Sequence, residues 1–255
     1  MSHNVRYSLI PFKPGFSVRC LNYPSGTPPE ELALDEALLH EVESTPDRGI
    51  LRFWEPASYF VVLGYTNSAE KEIHLSRCLE RGIPVYRRCT GGGTVLQGPG
   101  CLNYSLVLPS DAVPLFATAG GTSRVLMAHH AALLGRATGL PVEVRGVSDL
   151  AVGSRKFSGN AQRRGKNAFL FHGTILLGFA IDLVELLLPM PTRAPAYRSG
   201  RAHAHFMTNL PLEAANVRHL LRTGWMASEP LPGAPPPAAA LLARGRYSDH
   251  AWIMK

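Results

Sequence analysis

Three consecutive glycines, Gly91, Gly92 and Gly93, separate the paired arginines Arg87 and Arg88 from an apolar run in the stretch RRCTGGGTVLQGPGCLNYS. Glycine loses more backbone entropy on folding than any other residue and packs no side chain. A run of three therefore belongs where the main chain turns at positive φ or lies directly against something. Two readings stay open at this point: a tight connection between strands, or a loop pressed against a ligand. The familiar phosphate loops are excluded, because no G-x-x-x-x-G-K-[ST] occurs and the glycines at 91, 92, 93, 98 and 100 do not form G-x-G-x-x-G. A G-x-S-x-G elbow and an H-E-x-x-H helix are also missing.

At 255 residues and 45% hydrophobic composition the chain can bury a sizeable core as one large domain, with or without a small appendage. No apolar run reaches the roughly 18 residues of a membrane span. The first residues carry Arg6, Pro11 and Lys13 where a signal peptide needs an unbroken apolar segment, so a cytoplasmic location is expected. Cys20, Cys78, Cys89 and Cys101 form no C-x-x-C pair, which argues for reduced thiols rather than a disulfide framework or zinc finger. His129 and His130, or His203 and His205, lack the carboxylate or cysteine that would complete a metal set. The formal charge is +7, with Arg145, Arg155, Lys156, Arg163, Arg164 and Lys166 clustered around a single acid, Asp149. Such a cluster favours anionic partners or serves as a solubilising face. Nucleic acid is not expected, since the cluster lacks interleaved aromatic platforms.

Periodicity predicts a helix over PPEELALDEALLHEVEST, with Leu34, Leu38 and Val42 on one stripe, and a second over 121–138 stopped by Gly139. β-rich runs at 50–54 and 59–65 read as a hairpin or near-neighbour pair across Glu55-Pro56-Ala57-Ser58. Further strands are expected at 83–88 and 102–109, flanking the glycine loop, and at 141–145, 149–152, 155–162 and 168–178. Helices follow at 182–188 and 213–226. Strands outnumber helices without βαβ alternation, giving an α+β class of mixed, mostly antiparallel sheet with helices on one side. The division expected is a domain over 1–228, then a proline- and alanine-rich linker and docked segment over 229–255.

Four pieces, RRCTGGGTV, LNYS, SDLAVGSRKFSGNAQRR and FLFHGTILL, occur in this order, together with ELALDEALL, VVLGYTNSAEKEI and YRSGRAHAHFMTNL. From about Leu21 to Leu210 they closely resemble the large catalytic domain of lipoate-protein ligases, in the superfamily that also holds biotin ligases and octanoyltransferases. The resemblance implies a biotin/lipoate ligase-like, class II synthetase-like fold, with ATP and Mg²⁺ as cofactors and lipoate or octanoate as the acid. It implies a lipoyl-domain or glycine-cleavage H-type acceptor protein. It also implies a possible separate accessory polypeptide, since no C-terminal accessory domain follows in this chain. A biotin-type arginine-rich glycine loop is absent, which disfavours biotin.

Activating a carboxylic acid with ATP brings a carboxylate against an α-phosphate, and two anions repel until a cation intervenes. Lys156 is the catalytic candidate, because its ammonium is a mobile point charge with three donors and matches the family's adenylate-contacting lysine. The resemblance places Gly91, Gly92 and Gly93 against the acyl arm, puts one of Arg87 and Arg88 in the pocket, and sets Tyr65 and Asn67 beside the acyl-adenylate. Asp149 is a candidate for Mg²⁺, the adenine end or a turn. Ser158, Gly159 and Asn160 are candidates for phosphate, ribose or turn formation, and His172, Gly173 and Thr174 for shaping the pocket. An ATP-independent transferase would need a cysteine nucleophile. The matching neighbourhoods, VEVRGVSDL and NAFLFHG, contain none, leaving Cys89 and Cys101 as possible recruits. A non-catalytic lipoate-binding homologue is the remaining alternative.

Overall fold

In the computed structural model the described residues are 10–23, 26–227, 229–231 and 235–255. Arg6 and residue 228, on which the leader and domain-boundary expectations rest, lie outside them. The strands are β1 (Ser17–Leu21), β2 (Arg48–Trp54), β3 (Phe60–Leu63), β4 (Val85–Arg87), β5 (Val95–Gln97), β6 (Cys101–Pro109), β7 (Val142–Arg145), β8 (Asp149–Val152), β9 (Arg155–Arg164) and β10 (Ala168–Leu176). The helices are α1 (Pro28–Ser44), α2 (Ala69–Glu72), α3 (Leu75–Glu80), α4 (Ala119–Thr138), α5 (Asp182–Leu187), α6 (His203–Phe206), α7 (Ala214–Gly224), α8 (Pro237–Arg244) and α9 (His250–Met254).

A seven-stranded sheet runs β1-β2-β6-β10-β9-β8-β7, antiparallel except for the β1–β2 pair, and a three-stranded sheet runs β4-β3-β5. This is the mixed, mostly antiparallel α+β architecture expected, with two corrections. First, the runs at 50–54 and 59–65 are not a hairpin. β2 pairs with β1 and β6 in the large sheet, whereas β3 pairs with β4 and β5 in the small one. The chain changes sheets through Glu55–Tyr59, and the stacked rings of Trp54 and Phe60 (6.4 Å) hold the crossing. Second, helices cover both faces of the large sheet, not one. α4 and α7 bury Leu126, Leu134, Val217 and Leu221 against Leu106, Phe169 and Phe171. α1 and α8 bury Leu34, Leu38, Val42, Ala239 and Ala243 against Ile50, Val107 and Leu170.

The helix α1 starts as its sequence directs: the Glu30 carboxylate accepts the Thr27 N–H (2.7 Å), and Pro28 and Pro29 occupy positions whose N–H groups need no helical partner. α4 ends at Gly139 in the left-handed conformation (φ +68°). Of the stretch read as a linker, residues 237–240 open α8, whose alanines allow close approach to α1.

Strand alternation decides what can meet in the site. In β10, Phe169, Phe171 and Ile175 face α4, so Leu170, His172 and Thr174 face the opposite side, toward α1 and the small sheet. In β9, Ser158 pairs with Ile175 and Asn160 with Gly173, which puts Ser158 and Asn160 on the α4 side and Gly159 and Ala161 on the His172 side. Uninterrupted alternation would send Lys156 to the α4 side as well. A register break prevents this: Leu150 pairs with Ser158, but Ala151 pairs with Lys156. Phe157 is the extra residue of a β-bulge, buried with the α4-side core, and the bulge returns Lys156 to the face carrying Gly159, His172 and Thr174.

Candidate active site

A cavity of about 460 Å³ lies between that face of the large sheet, the glycine loop with β5, and the segment 188–207. Apolar side chains line it from Leu32, Trp54, Val62, Val95, Leu96, Leu176, Val184 and Leu188. Lys156, Asp149, Arg88, Arg193, Arg198 and His172 supply the polar part. Largely apolar walls with a few convergent polar groups suit a ligand with an apolar body and a polar end.

Lys156 is 27% exposed at its side chain, and its Nζ bonds Asp149 Oδ1 (2.7 Å). The Asp149 Oδ2 accepts the Tyr197 hydroxyl (2.8 Å). Burial beside Asp149 pushes the Tyr197 phenol far above its usual range, so it remains a donor. Gly159 is the seat of the lysine: a Cβ at this position would stand 2.7 Å from Lys156 Nζ and 2.9 Å from Cε. The ammonium therefore occupies the space a side chain at 159 would fill.

The glycine loop is held from behind by Arg88. Its Nη2 donates to the carbonyls of Gly91 (2.7 Å) and Gly93 (2.8 Å), and its Nε donates to Thr90 Oγ1 (2.9 Å). Burial lowers the Arg88 pKa to about 10, which leaves it charged at neutral pH. No carboxylate pairs with it among the described residues. With the Gly91 and Gly93 carbonyls turned to Arg88, the N–H groups of Gly91, Gly92 and Gly93 have no protein acceptor among the described residues and are free to donate to an anion or a carbonyl. Gly92 has φ +90°, and Gly64 packs so closely on the Gly92 carbonyl that neither position admits a side chain without a shift.

Thr90 extends the chain of contacts inward. Its hydroxyl meets His172 Nε2 (2.7 Å), and His172 Nδ1 donates to Asp35 Oδ2 (2.8 Å). Asp35 Oδ1 in turn accepts Arg52 Nη1 (2.7 Å) and Ser105 Oγ (2.6 Å), and Arg52 also pairs with Glu31. Burial pushes the Arg52 pKa down to about 9, so it keeps the charge that balances these carboxylates.

The match to the family model for the lipoyl protein ligase A/B catalytic domain covers residues 27–219, from the start of α1 into α7 and so through every residue of this constellation. The chain belongs to that family. Octanoyltransferase LipM of Moorella thermoacetica is 32% identical to it over 206 residues, 72% of this chain and 74% of that one. A crystal structure of lipoate-protein ligase A bound with ATP matches with a TM-score of 0.75 at 26% identity, covering 93% of this chain and 98% of that one. A structure from the bi-partite lipoate protein ligase and E2 lipoyl domain system of Thermoplasma acidophilum matches equally, with a TM-score of 0.75 at 26% identity over 94% and 96% of the two chains. The chain spans about half the length of the first curated lipoate-protein ligases it matches (54%, 47% and 44% of three of them).

Within this lipoyl protein ligase A/B catalytic domain, Lys156, Arg88, Gly92, Gly93, Asp149, Ser158, Gly159, Asn160, His172, Gly173 and Thr174 all border the cavity. Their side chains divide between the two faces. The Asn160 side chain accepts Tyr104 Oη (2.7 Å) and donates to the Ser148 carbonyl (2.6 Å), and so braces the turn before Asp149. Gly173 leaves room for that amide, because a Cβ there would collide with Asn160 Oδ1. Ser158 is buried beside Asn160. Gly91 is absent from the lining, as are Tyr65 and Asn67. Tyr65 lies under the Lys255 ammonium (4.0 Å from the ring centre) beside Trp252, and Asn67 borders a separate opening with Met254 and Lys255.

The open choice between the two arginines resolves to Arg88. Arg87 is fully buried and gives its guanidinium to carbonyls of Gly64, Asn67, Ile253 and Lys255. Both Asp149 oxygens are engaged in this arrangement, one by the Lys156 ammonium and one by the Tyr197 hydroxyl. Sequence reasoning missed Asp35, Thr90 and Tyr197. The available signal was Asp35, which directly follows Leu34 of the apolar stripe of α1; Tyr197 is brought in only by the tertiary fold.

Proposed function

We propose that this chain activates lipoate or octanoate with ATP and transfers the acyl group to a lysine of an acceptor protein. A carboxylate oxygen of the acid attacks the α-phosphorus as the bond to pyrophosphate breaks. The acceptor's neutral ε-amine then attacks the acyl carbon, the carbon–oxygen bond to AMP breaks, and the amine proton leaves. The observation that carries the reading is the Lys156 ammonium, seated over Gly159 at the cavity that Gly92 and Gly93 also border, their N–H groups without a protein acceptor among the described residues. One mobile cation together with fixed donors suits a step in which two anionic oxygens approach, which supports this reading. The ATP-bound ligase of the same fold supports the nucleotide half of the reaction. The Thermoplasma system supports a lipoyl-domain acceptor, with a glycine-cleavage H-type carrier as a second candidate, and a separate polypeptide that completes the enzyme. No helix of the described residues is long and apolar enough to cross a membrane.

The similarity to an octanoyltransferase favours a second reading, transfer from an acyl thioester without ATP. The cysteines oppose it. All four are buried, none lines the cavity, and burial pushes the Cys89 thiol up to about 11 and Cys101 up to about 12, the reverse of an activated nucleophile.

Lipoate-dependent exchange of labelled pyrophosphate into ATP separates the two. We expect exchange in the native chain, with a separate subunit added if it is required, and a loss of about 10²–10³-fold in Lys156→Ala. Acceptor modification from octanoyl-acyl carrier protein without ATP, abolished by Cys89→Ser or Cys101→Ser, would overturn the ligase reading.

A further inference from the structure

Three polar side chains close a hydrogen-bonded ring in the otherwise apolar part of the cavity wall. Gln97 Nε2 donates to Thr174 Oγ1 (2.7 Å), Thr174 Oγ1 donates to Asn103 Oδ1 (2.5 Å), and Asn103 Nδ2 donates to Gln97 Oε1 (2.9 Å). All three line the cavity, and Gln97 and Asn103 are almost wholly buried. A dry wall made only to hold a hydrocarbon has no use for three buried polar groups, each of which costs free energy to desolvate. Each primary amide has two N–H donors, and the ring uses one from each. One N–H on Gln97 and one on Asn103 remain without a partner among the described residues.

The sheet register fixes where the ring stands relative to the reacting end. Trp54 pairs with Asn103, Asn103 with Thr174, and Thr174 with Gly159, so these four residues form one row across β2, β6, β10 and β9. The Lys156 ammonium sits over Gly159 at one end of the row, and the Trp54 ring closes the other. With neighbouring strands about 4.8 Å apart, Asn103 lies about 10 Å from the ammonium along the row. An eight-carbon acid with its carboxylate at Lys156 and its chain laid along the row reaches that far. Its distal carbons therefore lie over Gln97 and Asn103.

We infer that Gln97, Asn103 and Thr174 determine which acid the site accepts, favouring a medium-chain acid that carries acceptor heteroatoms near its far end, such as the sulfurs of a dithiolane ring, over a plain hydrocarbon chain. This assignment rests on the ligase reading above. A heteroatom there meets the spare N–H groups, whereas a plain chain covers them and leaves them unpaired, and a site built around hydrogen-bonding groups discriminates against an analogue that cannot satisfy them. Thr174 holds the two amides in place: without its hydroxyl the Gln97 N–H and Asn103 carbonyl both lose a partner.

The test measures kcat/KM for lipoate and for octanoate in pyrophosphate exchange, with calorimetric binding of each acid, in the native chain, Gln97→Met, Thr174→Val and Thr174→Ser. Thermal melting identifies which variants fold, and the Thr174 pair decides should Gln97→Met not. The lipoate-to-octanoate ratio is expected to fall about tenfold in Gln97→Met and Thr174→Val and to stay near native in Thr174→Ser, which keeps the hydroxyl. An unchanged ratio in the first two, or a fall in Thr174→Ser matching that in Thr174→Val, overturns the assignment while leaving the ligase reading intact. A native chain that binds neither acid overturns the ligase reading and the assignment with it.

Discussion

The position that controls Lys156 most closely is a glycine, and a glycine in a strand reads from sequence only as a weak point. What cannot be read is that the ammonium lies where its Cβ would be. Gly159→Ala is expected to lower pyrophosphate exchange at least about tenfold, while leaving stability within about 0.5 kcal/mol, because the added methyl meets only the movable end of a lysine. Exchange kinetics beside a denaturation curve check both halves. A second residue-scale prediction concerns His130, which is fully buried and accepts the Trp225 indole N–H (2.8 Å). Burial, with His129 beside it, drives its pKa down to about 3. The folded state thus holds it neutral while the unfolded chain protonates it near pH 6.5. Its contribution is complete above pH 6.5 and is lost as the pH falls toward about 3, with a slope approaching 1.4 kcal/mol per pH unit. His130→Gln, which keeps an acceptor for Trp225, should flatten the fall in melting temperature between pH 6 and pH 4.

At the level of elements, helix periodicity carried well. α1, α4 and α7 fall within two residues of the expected spans, because an apolar stripe and its caps are local information. Strand runs were found, but their partners were not. β2 from Gly49 onward and all of β3 are buried, and a run of buried apolar residues carries no mark of which sheet it joins. β1, and β5 within TVLQ, went unrecognised, being short and shaped by pairing rather than by pattern. The Phe157 bulge is the costliest gap, since plain alternation groups Lys156 with Ser158 and Asn160 when the bulge separates them. Beneath the site, α1 is fastened to the sheet through Arg52, whose guanidinium joins Glu31 and Asp35 below any solvent access. Arg52→Leu strands two buried carboxylates without their cation, and a loss of about 3–5 kcal/mol in urea unfolding is expected. His172 and Thr90 hang from the same Asp35, so lipoate affinity should weaken in the fraction that still folds. Full retention of both would show the network to be incidental.

Across the whole molecule, the described residues after α7 pack against the elements that carry the site, in the part of the chain whose composition reads as a linker and a docked segment. Ala239 and Ala243 bury against α1, and the Tyr247 hydroxyl donates to Glu36 (2.8 Å), which also receives Arg163 of β9 (2.8 Å) and Arg246 (2.7 Å). Arg87 completes the stitching, with one guanidinium donating both to carbonyls of the 64–67 turn and to those of 252–255. That turn carries Gly64, packed on the Gly92 carbonyl, and Arg87 is the immediate neighbour of the arginine that holds the glycine loop. Position is therefore transmitted from the last residues to the loop through backbone contacts, with no side chain of the segment's described residues lining the cavity. Removing residues 249–255 strips Arg87 of three carbonyl acceptors and leaves a buried charge half satisfied. Lower thermal stability is expected from that loss alone. The coupling adds that lipoate affinity, measured by calorimetry well below the new melting temperature, should fall about tenfold. Native affinity in the truncated chain would mean that the 64–67 turn and Arg88 hold the loop unaided.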